Sequence, residues 1–318
     1  MIQFLLRLLA RLPLCVLHAL GRWCGLIVYM LPGRYRSRLQ ANAAQAGYTD
    51  PAFMRRAAAQ TGAMIMETPK IWLQEEACME IASFADPEII DKLIAEGRGL
   101  IFLTPHLGSF EICARKVARH MPLTVMFREP RQAALRPVVE QARNNSCMRA
   151  VPANTQGVRE FVRTLRRGEA VGMLPDQVPG RGEGVWAPVF GREAYTVTLP
   201  GRLATQTGAA VFMVAGERLP RGRGWRIHFV RVPEPLPQEA EAQAALFNAA
   251  MALLIERFPE QYLWSYNRYK VTAHSRDTTR RTRADRETGP VQHNQAEPSP
   301  EEPPATDPAA SPAERGQP

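Results

Sequence analysis

Between residues 99 and 258, apolar runs of strand length alternate with helical segments, and that alternation restricts the fold more than any other feature of the chain. Strand signals fall at 99–104, 123–128, 170–174, 209–215 and 225–232, and helical ones at 109–119, 132–143, 155–167, 197–207 and 238–258. A continuously apolar strand, such as the LIFL inside GLIFLTPH (99–106), is one buried on both faces. Strands of that kind, separated by helices, assemble into a mostly parallel sheet covered on both sides, which makes the chain an α/β protein. Upstream, Asp50-Pro51 reads as an N-cap followed by proline at the first helical position, opening a helix with few breakers before Pro69. A further helix follows Pro87 and ends near Gly97. With 318 residues and 45% hydrophobic side chains, the chain can fill one large core, and no internal repeat is visible.

The two ends differ from this middle. Residues 1–33 are apolar but interrupted by Arg7, Arg11, His18 and Arg22, so no window reaches the roughly 18 to 20 apolar residues of a spanning helix. At about 100° per residue those four side chains lie within roughly 60° of one another, a narrow polar stripe on an otherwise apolar helix. The pattern is that of a membrane-anchoring helix lying in the interface, kinked at Pro13, with a tilted span as the alternative. No small-residue cleavage site precedes Arg34, Arg36 and Arg38, which argues against a cleaved signal peptide. Residues 272–318 form the opposite kind of segment. From 271 onward there is no Phe, Trp, Tyr, Leu, Ile or Met but eight of the 27 prolines, so disorder is expected. The folded domain is therefore placed at 34–271.

Charge follows the same division. The formal net charge is +9, but the last 48 residues carry six arginines and eight acids, leaving +11 on residues 1–270. A basic folded part attracts anionic partners. The arginines are dispersed and accompany no recognised nucleic-acid motif, so no nucleic-acid role is expected. Five cysteines (Cys15, Cys24, Cys78, Cys113, Cys147) share no C-x-x-C spacing, which fits thiols used as small apolar groups in a reducing compartment.

Of six histidines, His106 is the one placed for chemistry. It ends the apolar run at 99–104 in TPHLGSFE, where the chain turns into a helix, and in open α/β sheets ligands gather at the carboxyl ends of strands. Glu111 follows five residues later, close enough for the loop histidine to fold back onto its carboxylate. A carboxylate on one imidazole nitrogen fixes the tautomer and stabilises the imidazolium formed when the other nitrogen takes a proton. The expectation is a general-base dyad of His106 and Glu111. The sequence holds neither H-E-x-x-H nor G-x-S-x-G, so neither a zinc-hydrolase helix nor a serine nucleophile elbow is expected. Arg128, at the end of the strand at 123–128, is placed to hold a phosphate or a developing oxyanion, and Asp176, just beyond the strand at 170–174, to position substrate. The aromatic cluster Tyr262, Trp264, Tyr266 and Tyr269 reads as core or interface packing.

Several separated blocks carry a family resemblance. They are LTPHLGSFE (103–111), FREPRQ (127–132), GVREFVRTLRRGEAVGMLPDQ (157–177), WAPVFG (186–191) and PEQYLWSYNRYK (259–270), in that order behind the N-terminal anchor. Together they resemble the lipid A biosynthesis acyltransferases, the late lauroyl/myristoyl transferases of Gram-negative bacteria. The likeness covers about residues 1–272. It implies a glycerolipid-acyltransferase-like fold and an enzyme of the inner membrane's cytoplasmic face. It further implies that a fatty acyl chain moves from acyl carrier protein to a hydroxyl on a lipid A precursor, without a cofactor. It places His106 and Glu111 on the family's H-x-x-x-x-D/E motif, and matches Arg143 and Arg159 to basic positions of its central blocks, where they would bind substrate with Arg128 and Asp176. Ser109-Phe110 stands where members often have Asn-Trp, and Tyr266-Asn267 where some have His-Arg. Two other readings fit the anchor and the charge: an acyltransferase acting on another membrane lipid's hydroxyl, and a non-catalytic protein that binds anionic lipid headgroups. The latter would use the arginines but gain nothing from a His–carboxylate pair.

Overall fold

The computed structural model describes residues 2–127 and 148–270. The expected helix at 132–143, Arg128, Arg143, Cys147 and the tail at 272–318 lie outside the described residues.

The chain begins with four helices. They are α1 (Ile2–Arg11), α2 (Leu14–Met30), α3 (Arg34–Gln45) and α4 (Pro51–Leu73). The Asp50 carboxylate accepts hydrogen bonds from the Ala52 and Phe53 amides, so α4 starts where the Asp-Pro pair places it. It then runs four residues past Pro69. Small residues let α2 and α4 cross at backbone contact. A Cβ on Gly62 would stand 1.9 Å from the Gly21 carbonyl oxygen, and one on Gly25 would stand 2.2 Å from that of Ala58.

The expected single amphipathic helix is corrected here. Pro13 breaks it into α1 and α2, and the polar stripe does not continue across the break. Arg7 and Arg11 are exposed, whereas His18 is buried at 1% exposure, bonded to Glu67 of α4. Arg22 is half-buried, and most of the remaining surface of the two helices is apolar and open, with Phe4, Leu5, Leu8, Trp23, Val28 and Met30 exposed. No single helix among the described residues is long and apolar enough to cross a membrane, and α2 and α3, which together have the length and composition, meet at 96°.

Next come α5 (Glu75–Glu80), β1 (Ala82–Phe84) and α6 (Ile89–Ala95), the last stopped by Gly97 at φ +64°. The sheet then assembles from β2 (Leu100–Leu103), β3 (Leu123–Phe127), β4 (Met148–Pro152), β5 (Ala170–Met173), β8 (Ala210–Arg218) and β9 (Trp225–Arg231). Helices α7 (Phe110–Ala118), α8 (Thr155–Arg166), α9 (Leu199–Thr207) and α10 (Ala240–Arg257) cover it. Strand order is β1-β9-β8-β2-β5-β3-β4, parallel throughout except for the β8–β9 pair. The mostly parallel α/β sheet expected from the alternation is therefore present, widened by β1 and β4. A separate hairpin, β6 (Gly184–Val189) and β7 (Arg192–Val197), turns through Phe190-Gly191, both at positive φ.

Central β2 shows why the apolar runs were continuous. Ile101 and Leu103 enter one core with Phe161, Leu203 and Leu254, while Leu100 and Phe102 enter the other with Ile112, Val117 and Leu93. Successive residues point to opposite faces, and both faces are covered.

The tight α2–α4 crossing sets a stability expectation. Gly62→Ala should destabilise the protein by about 1–3 kcal/mol through overpacking. Gly33→Ala, where an added Cβ meets nothing within 4 Å, is the control for overpacking and should lower the thermal midpoint less, by the N-cap preference alone.

Candidate active site

Two adjacent central strands send the chain away over opposite faces. From β2 it enters α7, which packs in the core with Leu100 and Phe102; beyond β5 it reaches α9, which packs in the core with Ile101 and Val171. A crevice opens at the carboxyl ends of such a strand pair, where ligands bind in open α/β sheets. His106 follows β2 and Asp176 follows β5, so strand adjacency brings together two residues 70 apart in sequence.

The His106 loop is tied down along its length. The Thr104 amide donates to the Met173 carbonyl at 2.9 Å, extending the β2–β5 ladder, and the Leu263 amide donates to the His106 carbonyl at 3.0 Å. The Gly108 amide donates to Gln261 O at 2.9 Å and the Ser109 amide to Gly216 O at 2.7 Å. Gly108 sits at φ +62°, and a Cβ there would lie 2.0 Å from Gly216 O, so both conformation and space require glycine.

Asp176 holds the imidazole. Its Oδ1 lies 2.9 Å from His106 Nδ1, and its Oδ2 accepts the His106 backbone amide, also at 2.9 Å. Asp176 is 1% exposed. Burial alone would lower the His106 pKa, but the Asp176 charge and hydrogen bond, with a smaller contribution from Glu111, raise it above its ordinary value. Burial acts on Asp176 in the opposite sense, and the His106 charge and two hydrogen bonds outweigh it, holding the carboxyl below its ordinary range. Asp176 is thus the ionised acceptor and His106 Nδ1 the donor, which leaves Nε2 as the basic nitrogen. Phe110 and Tyr266 flank the ring, with centroids 4.9 and 6.5 Å away, the tyrosine parallel to it. The Tyr266 hydroxyl accepts the Val178 amide at 2.9 Å, fixing that wall to the loop after β5. The aromatic block is otherwise core, as expected, with Tyr262 and Trp264 buried.

The expected His106–Glu111 hydrogen bond is corrected. Glu111 is in the first turn of α7, where it accepts the Trp72 indole N–H at 3.1 Å and lies 3.8 Å from Arg115 Nε. It acts on His106 through charge, and Asp176 makes the contact expected of it. The sequence reading placed Asp176 at the right strand end but gave it to substrate. Arg159 stands exposed on α8.

Beside this pair lies a cavity of about 180 Å³. Glu111, Thr104 and Arg115 give it a polar side, and Phe110, Val125, Met126, Met148, Ala150, Gly172 and Met173 make the rest apolar. Phe110 touches both regions, since it lines the cavity and packs against His106.

A proton-accepting imidazole with a buried carboxylate behind it, opening beside an apolar cavity, suits an enzyme that transfers acyl chains. Comparison with known proteins supplies the family. Residues 2–271 match the bacterial lipid A biosynthesis acyltransferases, and the chain belongs to that family and is an acyltransferase. It is 28% identical over 213 residues to the lipid A biosynthesis palmitoleoyltransferase of Escherichia coli K12, covering 66% of this chain and 68% of that protein. It is also 28% identical over 218 residues to the lauroyltransferase of the same organism, covering 66% and 69%. A lipid A biosynthesis acyltransferase of Haemophilus influenzae is 27% identical over 190 residues, covering 58% and 57%.

The geometry sets the direction of a titration. Followed by NMR, the His106 ring should protonate with a midpoint above 6.5, and Asp176→Asn should move that midpoint down. Because the folded-state pKa of His106 is raised and that of Asp176 lowered, the pair's contribution to stability is present between their ordinary values, fading as pH rises through the His106 midpoint and as it falls through that of Asp176.

Proposed function

We propose that this enzyme transfers a fatty acyl chain from the thioester of acyl carrier protein to a hydroxyl of a lipid A precursor, with His106 as general base. The observation that carries the reading is the Asp176–His106 pair opening beside an apolar cavity. The acceptor O–H gives its proton to His106 Nε2 while its oxygen attacks the thioester carbonyl. Asp176 stabilises the imidazolium so formed. When the tetrahedral intermediate collapses, the C–S bond breaks and the Nε2 proton goes to the departing thiolate. The products are an ester and the free carrier thiol. A thioester is already activated, so the transfer needs no acyl-enzyme and no cofactor.

The apolar cavity takes the donor chain, and Phe110, which lines it and packs against His106, stands between that chain and the base. Glu111 adds negative charge near the imidazolium from the cavity wall. Arg159, exposed on α8, and Arg128 and Arg143 contribute cations for the acceptor's phosphates and the acidic carrier.

The protein works at the cytoplasmic face of the inner membrane, with α1 and α2 in the interface. In support, residues 1–49 contain six arginines and no acid, and the faces of α1 and α2 turned away from α4 expose Phe4, Leu8, Trp23 and Met30.

His106→Ala should lower kcat/KM by about 10² to 10⁴ while leaving the protein in the membrane fraction. Near-normal transfer by that variant would sink the mechanism. Ala150→Phe, which fills the cavity, should cut transfer of C12 and longer chains by roughly tenfold or more while sparing shorter ones. Mass spectrometry of lipid A from cells lacking the gene should show the loss of one secondary acyl chain, and unchanged lipid A would exclude the substrate.

A further inference from the structure

A buried carboxylate with four hydrogen bonds lies outside the His106–Asp176 pair. Glu67 of α4 is 1% exposed, and its carboxylate accepts two hydrogen bonds from Arg218 (Nε and Nη2, both 2.8 Å), one from Trp225 Nε1 at 3.1 Å and one from His18 Nε2 at 2.8 Å. Three parts of the chain far apart in sequence, α2, α4 and the consecutive strands β8 and β9, meet on one carboxylate. Buried ion pairs stabilise little compared with apolar packing of the same volume, so this group's contribution lies in what it holds in place.

It holds the His106 loop. Arg218 Nη2 donates onward to the Gly108 carbonyl at 3.3 Å, two residues from His106, while Nη1 donates to Gln60 at 3.0 Å. The other side of the same turn reaches Arg218 through Gln261. The Gln261 backbone carbonyl accepts the Gly108 amide, and its side chain makes two hydrogen bonds to the Arg218 main chain, at 2.8 and 3.1 Å. The Gly108 amide and carbonyl are thus both referred to one guanidinium-bearing residue, which Glu67 orients with a bidentate pair.

We propose that Arg218 is a positioning residue for the acyl transfer: locked by Glu67, it fixes the Gly108 carbonyl and with it the aim of His106. His18 makes that lock depend on the seating of α2. Nδ1 of His18 finds no hydrogen-bond partner among the described residues, so Glu67 is the ring's one polar tie there. The outer face of α2 is the exposed apolar surface described above, so a displacement of α2 at the membrane reaches the catalytic loop through three side chains. The catalytic part of this inference rests on the proposed role of His106.

The test uses the full chain in vesicles containing an anionic phospholipid and compares Arg218→Lys with wild type by two readouts. Steady-state kinetics on folded enzyme should show kcat reduced about 10- to 100-fold with KM for donor and acceptor within threefold, the signature of a misaimed base. Carbethoxylation of His106 by diethyl pyrocarbonate, followed by mass spectrometry, needs no turnover and should change several-fold in rate. If wild type transfers nothing to the acceptor, the proposed function fails, while the modification rate still tests positioning. A second pair keeps the test decisive where Arg218→Lys does not fold. His18→Gln retains an N–H for Glu67 and should keep at least half of kcat, whereas His18→Leu should lose about tenfold at equal membrane binding. A folded Arg218→Lys, or His18→Leu, with kcat within twofold of wild type and an unchanged His106 modification rate would overturn the proposal.

Discussion

The structure turns on the pairing of β2 with β5. Both strands are apolar on both faces, so they lie in the middle of the sheet, and their in-register parallel ladder fixes where their carboxyl ends emerge. The chain leaves those ends over opposite faces of the sheet, which opens a crevice between them. His106 and Asp176 are the polar residues that the two exits deliver into it. Everything around the pair serves to hold those exits still: backbone bonds from the 259–263 turn, the bridge from Gly108 to Gly216, and the aromatic walls of Phe110 and Tyr266.

Much of this was legible in the residues. Central strands announce themselves because two-sided burial demands an unbroken apolar run, and a histidine closing such a run is at a strand end by construction. Edge elements lack that signal. β4 carries Arg149 and Pro152 within MRAVP, β1 is three residues long, and the β6–β7 hairpin mixes Pro188, Arg192 and Glu193 into its strands, so none shows a clean period. Pro69 is a helix breaker by residue type, yet α4 passes through it, the proline itself buried among its neighbours.

Partner choice was the harder problem. Sequence spacing favours Glu111 because it is near, whereas sheet order favours Asp176 because β5 is the neighbour of β2, and sheet order is not written in any local pattern. The same reasoning explains His18. Its angular position among Arg7, Arg11 and Arg22 is that of a wet polar stripe, but a partner 49 residues away inverts its meaning and turns it inward. Glu67 and Arg218 gave no sign at all, since a carboxylate inside a helix and an arginine ending a strand are ordinary surface residues until tertiary structure buries both.

One feature of Asp176 bears on how the enzyme uses its substrate. A single carboxylate grips both the ring and the main-chain amide of the same histidine, so backbone and side chain are referenced to one rigid group rather than to two. Rotation about the His106 side-chain bonds is thereby arrested before any lipid arrives. In the proposed reaction, the attraction between the enzyme and its substrates is then not diverted into ordering the imidazole, and remains available for drawing the reacting groups together.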